Sequence, residues 1–229
     1  MAASVIYQDN AGFYYRIWKS YSPWGYQDIS QVYEQYEPYE FHILSNAEIV
    51  YNMLADYGYS HKAIVAILSN MIAESSMNPA QGEVGYPYMT YRGYGLCQWT
   101  PATDYTSWCQ TENHDVYLGQ YQVEYFDETA EDRWRINPNY NYNLTWEEFK
   151  VYDSTEHSAE WLSMAFFHNY ERGTALETYR QYCAYWYDNY FQGYTPAPPP
   201  PYDPTPYKRY RVHGMPLWMM LKRKEIYQH

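Results

Sequence analysis

The sequence is poor in cysteine, in positive charge and in long apolar runs. Its three cysteines, Cys97, Cys109 and Cys183, are too few and too scattered for a disulfide framework or a zinc site. No metal or other cofactor is therefore expected, and the chain reads as one made in a reducing cytoplasm. No run of 18 apolar residues occurs, which argues against a transmembrane helix. The opening MAASVIYQDNAGFYY lacks a basic segment followed by an apolar one, so no secretory signal is expected. Lysine and arginine together number 15 against 27 acids, for a net charge of −12. The deficit is uneven: residues 207–229 carry +5, which leaves −17 on the rest of the chain. Phosphate polymers do not attract an acidic body at long range, which argues against nucleic acid as a partner of the main domain.

Aromatic residues are abundant, at 21% of the chain against 18% charged, and 33 of them are tyrosines. That balance argues against general disorder. A chain of 229 residues suffices for one substantial core, or for a domain of roughly 150 residues with appendages. Residues 1–41 form an aromatic-rich extension with turn signals at Ser22-Pro23 and Glu37-Pro38 and no persistent period. Its rings offer stacking faces to sugars or to a partner, or they pack over the main domain. Residues 42–192 are the main domain. Residues 193–206 include TPAPPPPYDPTP, with seven of the 14 prolines, and read as an extended spacer. The basic tail, 207–229, carries the apolar cluster Leu217-Trp218-Met219-Met220-Leu221. It suits an acidic partner first and an anionic membrane surface second.

The main domain reads as mainly α. Ser45 or Asn46 can cap a helix with the stripe Ile49, Val50, Met53 and Leu54, which Gly58 stops. A tight turn joins it to a second helix capped by Ser60, with Ile64, Ile67, Leu68, Met71 and Ile72 on one face and Asn78-Pro79 as its end. Gly- and Pro-rich residues between Pro79 and Pro101 predict a small hairpin or irregular loop. Leu118, Tyr121, Tyr125 and Phe126 mark a further helix ending before Asn137-Pro138, and Thr145 with Glu148 has capping-box spacing. Leu162, Ala165, Phe166 and Asn169 share the face of a helix starting near 154–158. A last helix follows Gly173, with Leu176, Tyr179, Cys183, Trp186 and Tyr190 as its predicted buried stripe.

Glu74 is the residue whose position suggests chemistry. It falls in the last turn of the Ser60 helix, on or beside the apolar face. A helix C-terminus repels negative charge and apolar neighbours remove water, so both effects favour the neutral acid over the carboxylate. A carboxylic acid that is protonated near neutral pH is what glycosidic-bond cleavage needs as general acid. The alternative is a surface carboxylate on a frayed turn.

Three segments in order carry a resemblance: Glu74-Ser75 with Asn78-Pro79-Ala80, then Gly93-Tyr94-Gly95-Leu96-Cys97-Gln98-Trp99-Thr100-Pro101, then His168-Asn169-Tyr170-Glu171-Arg172. Together they resemble the bacteriophage tail lysozyme family, within the goose-type lysozyme and lytic transglycosylase group, over about residues 44–191. The resemblance implies a mainly α, lysozyme-like helical domain with a small β-hairpin or irregular loop beside the cleft. It implies a peptidoglycan-degrading glycosidase acting between N-acetylmuramic acid and N-acetylglucosamine, without a cofactor. Glu74 would be the acid, and many members of this group work with that one glutamate. By its position in the loop nine residues on, Glu83 is a candidate second carboxylate or else a solvated loop acid, with Asp104 and Glu112 as weaker candidates. Ser75, Tyr94, Gly95, Gln98, Trp99, Asn169 and Tyr170 would bind substrate. Gly93-Tyr94-Gly95 would let the backbone approach a ligand, and Gln98 would meet sugar hydroxyls and N-acetyl groups. Trp99 would stack on a sugar or fill the core. Asn169 and Tyr170 would face the cleft, with Tyr170 near the N-acetyl group or the leaving oxygen.

A tail-associated virion protein acting on the wall would meet other virion proteins through residues 1–41 or the basic tail; a lysis-stage endolysin is the alternative placement. Two other classes compete: a peptidase using Cys97 with His114, His157 or His168, and a non-enzymatic virion or wall-binding protein of the same shape.

Overall fold

A computed structural model describes residues 4–9, 11–18, 41–83, 91–116, 118–173 and 175–194. Within these residues seven α-helices and one two-stranded sheet are present. Strands β1 (Ser4–Gln8) and β2 (Tyr14–Trp18) pair antiparallel, with Ser4 opposite Trp18 and Gln8 opposite Tyr14. The helices are α1 (Phe41–Asp56), α2 (His61–Ser75), α3 (Thr103–Glu112) and α4 (Gly119–Arg133), followed by α5 (Trp146–Lys150), α6 (Ala159–Phe166) and α7 (Glu177–Phe191). A π-helical turn, Phe167–Glu171, extends α6.

Helix α2 is the axis of the domain. Ser60 accepts from the Ala63 amide as its N-cap, as its sequence position predicts. Twelve of its 15 residues are buried, because α1, α6 and α7 all pack on it. A helix buried on every side needs no amphipathic stripe, and its polar Ser69 and Asn70 are satisfied inside the bundle. The helix ends earlier than the Asn78-Pro79 signal implies. Ser76 and Met77 both take left-handed backbone angles (φ 53° and 57°), and the Ser76 amide bonds the Ile72 carbonyl at 2.8 Å. The Asn46 side-chain amide holds this turn by donating to the Met77 carbonyl at 2.7 Å.

Asn46 is thus no cap. It sits inside α1, which begins at Phe41, and is 2% exposed. Its carboxamide also accepts from the Tyr14 amide (2.6 Å) and donates to the Tyr14 carbonyl (2.7 Å), tying the N-terminal hairpin to the helical body. Phe13 at the hairpin's turn is fully buried, so this part of the extension packs on the main domain.

Aromatic residues fill much of the core. Trp134, Trp146, Phe149, Phe166, Phe126 and Tyr170 form a contiguous cluster beneath α4 to α6, and Trp99, Tyr105 and Tyr125 form another under the 93–101 loop. Each such ring pair adds about 0.5–1.5 kcal/mol beyond its area burial. The capping box at Thr145 and Glu148 is present, and Ser158 caps α6. In α7 the buried stripe is Arg180, Cys183, Ala184, Tyr187 and Phe191, a register that differs from the predicted one. Tyr179 and Trp186 are only partly buried, and Tyr190 is exposed. Helix α3 lacks a side-chain cap and was not legible as a helix.

Between Pro79 and Pro101 the described residues make isolated bridges, Gly82 with Tyr94 and Tyr94 with Trp99, in place of a regular strand pair. The proline-rich spacer and the basic tail lie outside the described residues.

Candidate active site

Helix α2 delivers Glu74 to its C-terminal turn, and α7 brings Arg180 against it. Arg180 Nη2 donates to Glu74 Oε1 at 2.5 Å. The arginine is buried, with 4% of its side chain exposed, while Glu74 keeps 22%. Arg180 cannot turn away, because its other groups are committed. Nη1 donates to Asn70 Oδ1 at 2.7 Å, Nε reaches the Ala175 carbonyl at 3.4 Å, and the guanidinium lies 4.2 Å from the Phe167 ring centroid. Asn70 in turn donates to the Ala66 and Ser163 carbonyls, which locks the network to α2 and α6. The setting of Glu74 therefore differs from the expected apolar one: its buried neighbour is a cation.

A second carboxyl, Glu171, feels the charges of this pair. Glu171 closes the π-helical turn, and Arg172 after it takes a left-handed angle of 56°. Its Oε1 is sealed from solvent and has no hydrogen-bond partner. Burial, reinforced by the negative charge of Glu74, pushes the Glu171 carboxyl well above the usual carboxylate range; Arg180, Arg133 and Arg172 oppose this. In the sequence Glu171 lies in the third segment, directly after Asn169-Tyr170. A carboxylate at a helix end, next to two residues already singled out, was the available signal.

The structure places the other site candidates within the framework. Ser75 is buried and donates to the Met71 carbonyl at 2.9 Å. Tyr94 is 1% exposed and packs beside Tyr105. Gly95 has φ +79°, and a Cβ there would lie 2.5 Å from Gln122 Oε1. The close approach it permits is to that buried glutamine. Gln122 bonds the Leu96 amide and the Pro79 carbonyl, both at 2.8 Å, and so stitches the 93–101 loop to the end of α2. Gln98 donates to the Gln81 and Gly95 carbonyls, each at 2.9 Å. Trp99 fills the core, 3% exposed, and donates to the Tyr170 hydroxyl at 3.1 Å.

Asn169 and Tyr170, expected to face a cleft, are buried instead. Asn169 accepts from the Asn137 amide (3.0 Å) and donates to the Tyr142 carbonyl (2.8 Å), so it clamps the 137–142 loop. The π-helical turn redirects this segment inward, which periodicity in the sequence does not reveal. Glu83 pairs with Arg92 at 2.9 Å and accepts from the Gly93 amide at 3.1 Å, so both its oxygens pin its own loop. Asp104 meets Arg133 at 3.4 Å.

Cys97 is buried, and burial followed by the charges of Glu171 and Glu74 pushes its thiol well above the ordinary range. That is the reverse of what a nucleophilic thiolate needs. His114 stacks on Tyr121, His157 on Trp161 and His168 on Tyr140, with centroids 3.6 to 3.8 Å apart. Among the described residues no group of three or more His, Cys, Asp or Glu side chains converges as a metal site, and no helix is long and apolar enough to cross a membrane.

Residues 45–190, well over half of the chain, match the family model described as phage tail lysozyme. The chain belongs to the phage tail lysozyme family. The matched region runs from within α1 almost to the end of α7, so it contains Glu74, Glu171 and Arg180. A relative, "Morphogenesis protein 1" of Bacillus phage B103, is 32% identical over 128 residues, 56% of this chain. The match spans about a third (33%) of that relative's length. A phage association and a mainly helical lysozyme-like domain follow from these matches and the fold.

Proposed function

We propose that this phage tail lysozyme family member is a peptidoglycan-degrading glycosidase, with Glu74 as general acid. The bond cleaved is the β-1,4 linkage between N-acetylmuramic acid and N-acetylglucosamine. The observation that carries the reading is the placement of Glu74. It is the partly exposed partner of a sealed arginine at the end of a buried helix. A proton passed from Glu74 to the glycosidic oxygen lets the C1–O bond break, with the electron pair leaving on that oxygen. The oxocarbenium-like sugar is then captured by water or by the muramoyl 6-hydroxyl, giving a lysozyme or a lytic transglycosylase product. Glu83, tied to Arg92, is assigned to holding its loop.

The setting proposed is a virion, with the tail of the particle as the attachment point and the bacterial wall as the target. A second reading is a virion assembly component that retains the fold without the activity, and the name of the Bacillus phage B103 relative favours it. Glu74→Gln separates the two. The variant keeps an acceptor for Arg180 and so should retain the wild-type circular dichroism spectrum. On purified peptidoglycan it should lose at least about a hundredfold in rate, the scale of a lost general acid. Near wild-type turnover would sink the assignment.

A further inference from the structure

Asn70 is fully buried in α2, four residues before Glu74 and so on the same face of the helix. Sealed in this way it cannot touch a substrate, and any part it plays in the reaction passes through a neighbour. Its Nδ2 donates to the Ala66 carbonyl at 2.8 Å and to the Ser163 carbonyl at 3.1 Å. A carbonyl can only accept, so the amide has one orientation open to it, and Oδ1 is turned to Arg180.

Arg180 Nη1 meets Asn70 Oδ1 at 2.7 Å, whereas its guanidinium contacts with the Ala175 and Asn70 carbonyls are long, at 3.4 Å each. Among the described residues, the bond to Asn70 Oδ1 is thus the short one that fixes the guanidinium apart from Glu74 itself. The guanidinium is a rigid plane. The direction of Nη1 therefore sets that of Nη2, which donates to Glu74 Oε1. Glu74 Oε2 takes no hydrogen bond from the described residues, and this leaves it as the oxygen available to a glycosidic bond.

We propose that Asn70 is a positioning residue that acts through Arg180 to set the direction in which Glu74 presents Oε2. This rests on the glycosidase reading above. A partly exposed glutamate at a helix end has several side-chain torsions to explore, and a misplacement of about 1 Å at the reacting atoms can cost about a hundredfold in rate. The relay removes that freedom with groups from three helices: Ala66 and Asn70 on α2, Ser163 on α6 and Arg180 on α7.

Asn70→Ser tests the relay. The shorter side chain can bond back to the Ala66 carbonyl, as Ser75 does to Met71, but it falls short of Arg180. Nitrogen-15 NMR of the Arg180 guanidinium reads the link to Asn70, beginning with the wild-type protein. There the Nη groups should rotate slowly, and in Asn70→Ser at least about tenfold faster, the scale of one lost charge-assisted hydrogen bond. Fast rotation in the wild-type protein, or an unchanged rate in the variant, overturns the relay whether or not glycan is cleaved. With soluble peptidoglycan fragments, Asn70→Ser should lower kcat at least about tenfold and leave KM within about twofold, because the placement of Oε2 counts in the transition state. Added to Arg180→Met, it should lower kcat by no more than about a further twofold, because the relay is already cut. A retained kcat, or losses that multiply in the double variant, overturns the positioning role and leaves the glycosidase reading standing. No cleavage by the wild-type protein overturns both.

Discussion

Replacing Arg180 by methionine probes the cluster most sharply, because it removes the cation while roughly keeping side-chain volume. Arg180 bonds Glu74, Asn70 Oδ1 and the Ala175 carbonyl, and its guanidinium sits 4.2 Å from the Phe167 centroid. Breaking a buried ion pair from one side costs about 3–5 kcal/mol. The 22% exposure of Glu74 places this case near the lower end, about 3 kcal/mol. For a domain of this size each kcal/mol shifts the melting temperature by roughly 2–4 °C, so a fall of roughly 6–12 °C is expected at pH 7.5. The loss should shrink on acidification. Without Arg180 the native carboxyls hold protons more tightly than the unfolded chain does. The unfolded state then binds fewer protons, and stability falls as pH rises, by up to about 1.4 kcal/mol per unit for each group. At pH 5 the penalty relative to wild type should be under half that at pH 7.5. Thermal melts followed by circular dichroism at both pH values read this directly. An equal loss at the two pH values, or one below about 1 kcal/mol, would refute the picture of a Glu74 carboxylate paired with a buried arginine.

Other positions carry narrower expectations. Glu83→Gln breaks a pair that is about one-third exposed on each side, so its cost should stay within about 1 kcal/mol and its effect on peptidoglycan cleavage should be milder than that of Glu74→Gln; equal, near-complete losses in activity would instead mark a two-carboxylate hydrolase using Glu83. Gly95→Ala forces a Cβ to 2.5 Å from Gln122 Oε1 at φ +79°, and urea titration should show a loss of about 1–3 kcal/mol; a neutral effect would mean that the loop is not held by Gln122. Truncation after Tyr194 keeps its ring against Tyr51 and Phe191, so peptidoglycan cleavage and melting temperature should be retained while attachment to particles is lost. A melting temperature lower by several degrees would place residues 195–229 on the domain.

The helical plan was readable because its signals are local. Ser60, Thr145 with Glu148, and the stop at Gly58 act through neighbours within a few residues, and each does what its sequence position implies. The failures share a cause of the opposite kind. Asn46 looks like a cap, yet it bridges residues about 30 positions away on either side. Asn169 sits on the expected helix face, but the π-helical turn carries it into the core to clamp residues 137 and 142. The most consequential omission is the partner of Glu74. Arg180 lies 106 residues away, and no period or motif joins the two. Glu171 was hidden because what sets it apart is the sealed space around Oε1, which only the assembled fold creates.

The central claim, that this chain breaks glycan strands through Glu74, is tested most directly by end-group analysis of purified peptidoglycan digested with the wild-type protein and, in parallel, with Glu74→Gln. The wild-type digest should release new muramic or anhydro-muramic ends, and the variant should release at least about a hundredfold fewer in the same time. Freed amines in place of new glycan ends, no new ends at all, or equal yields from the two proteins would contradict it.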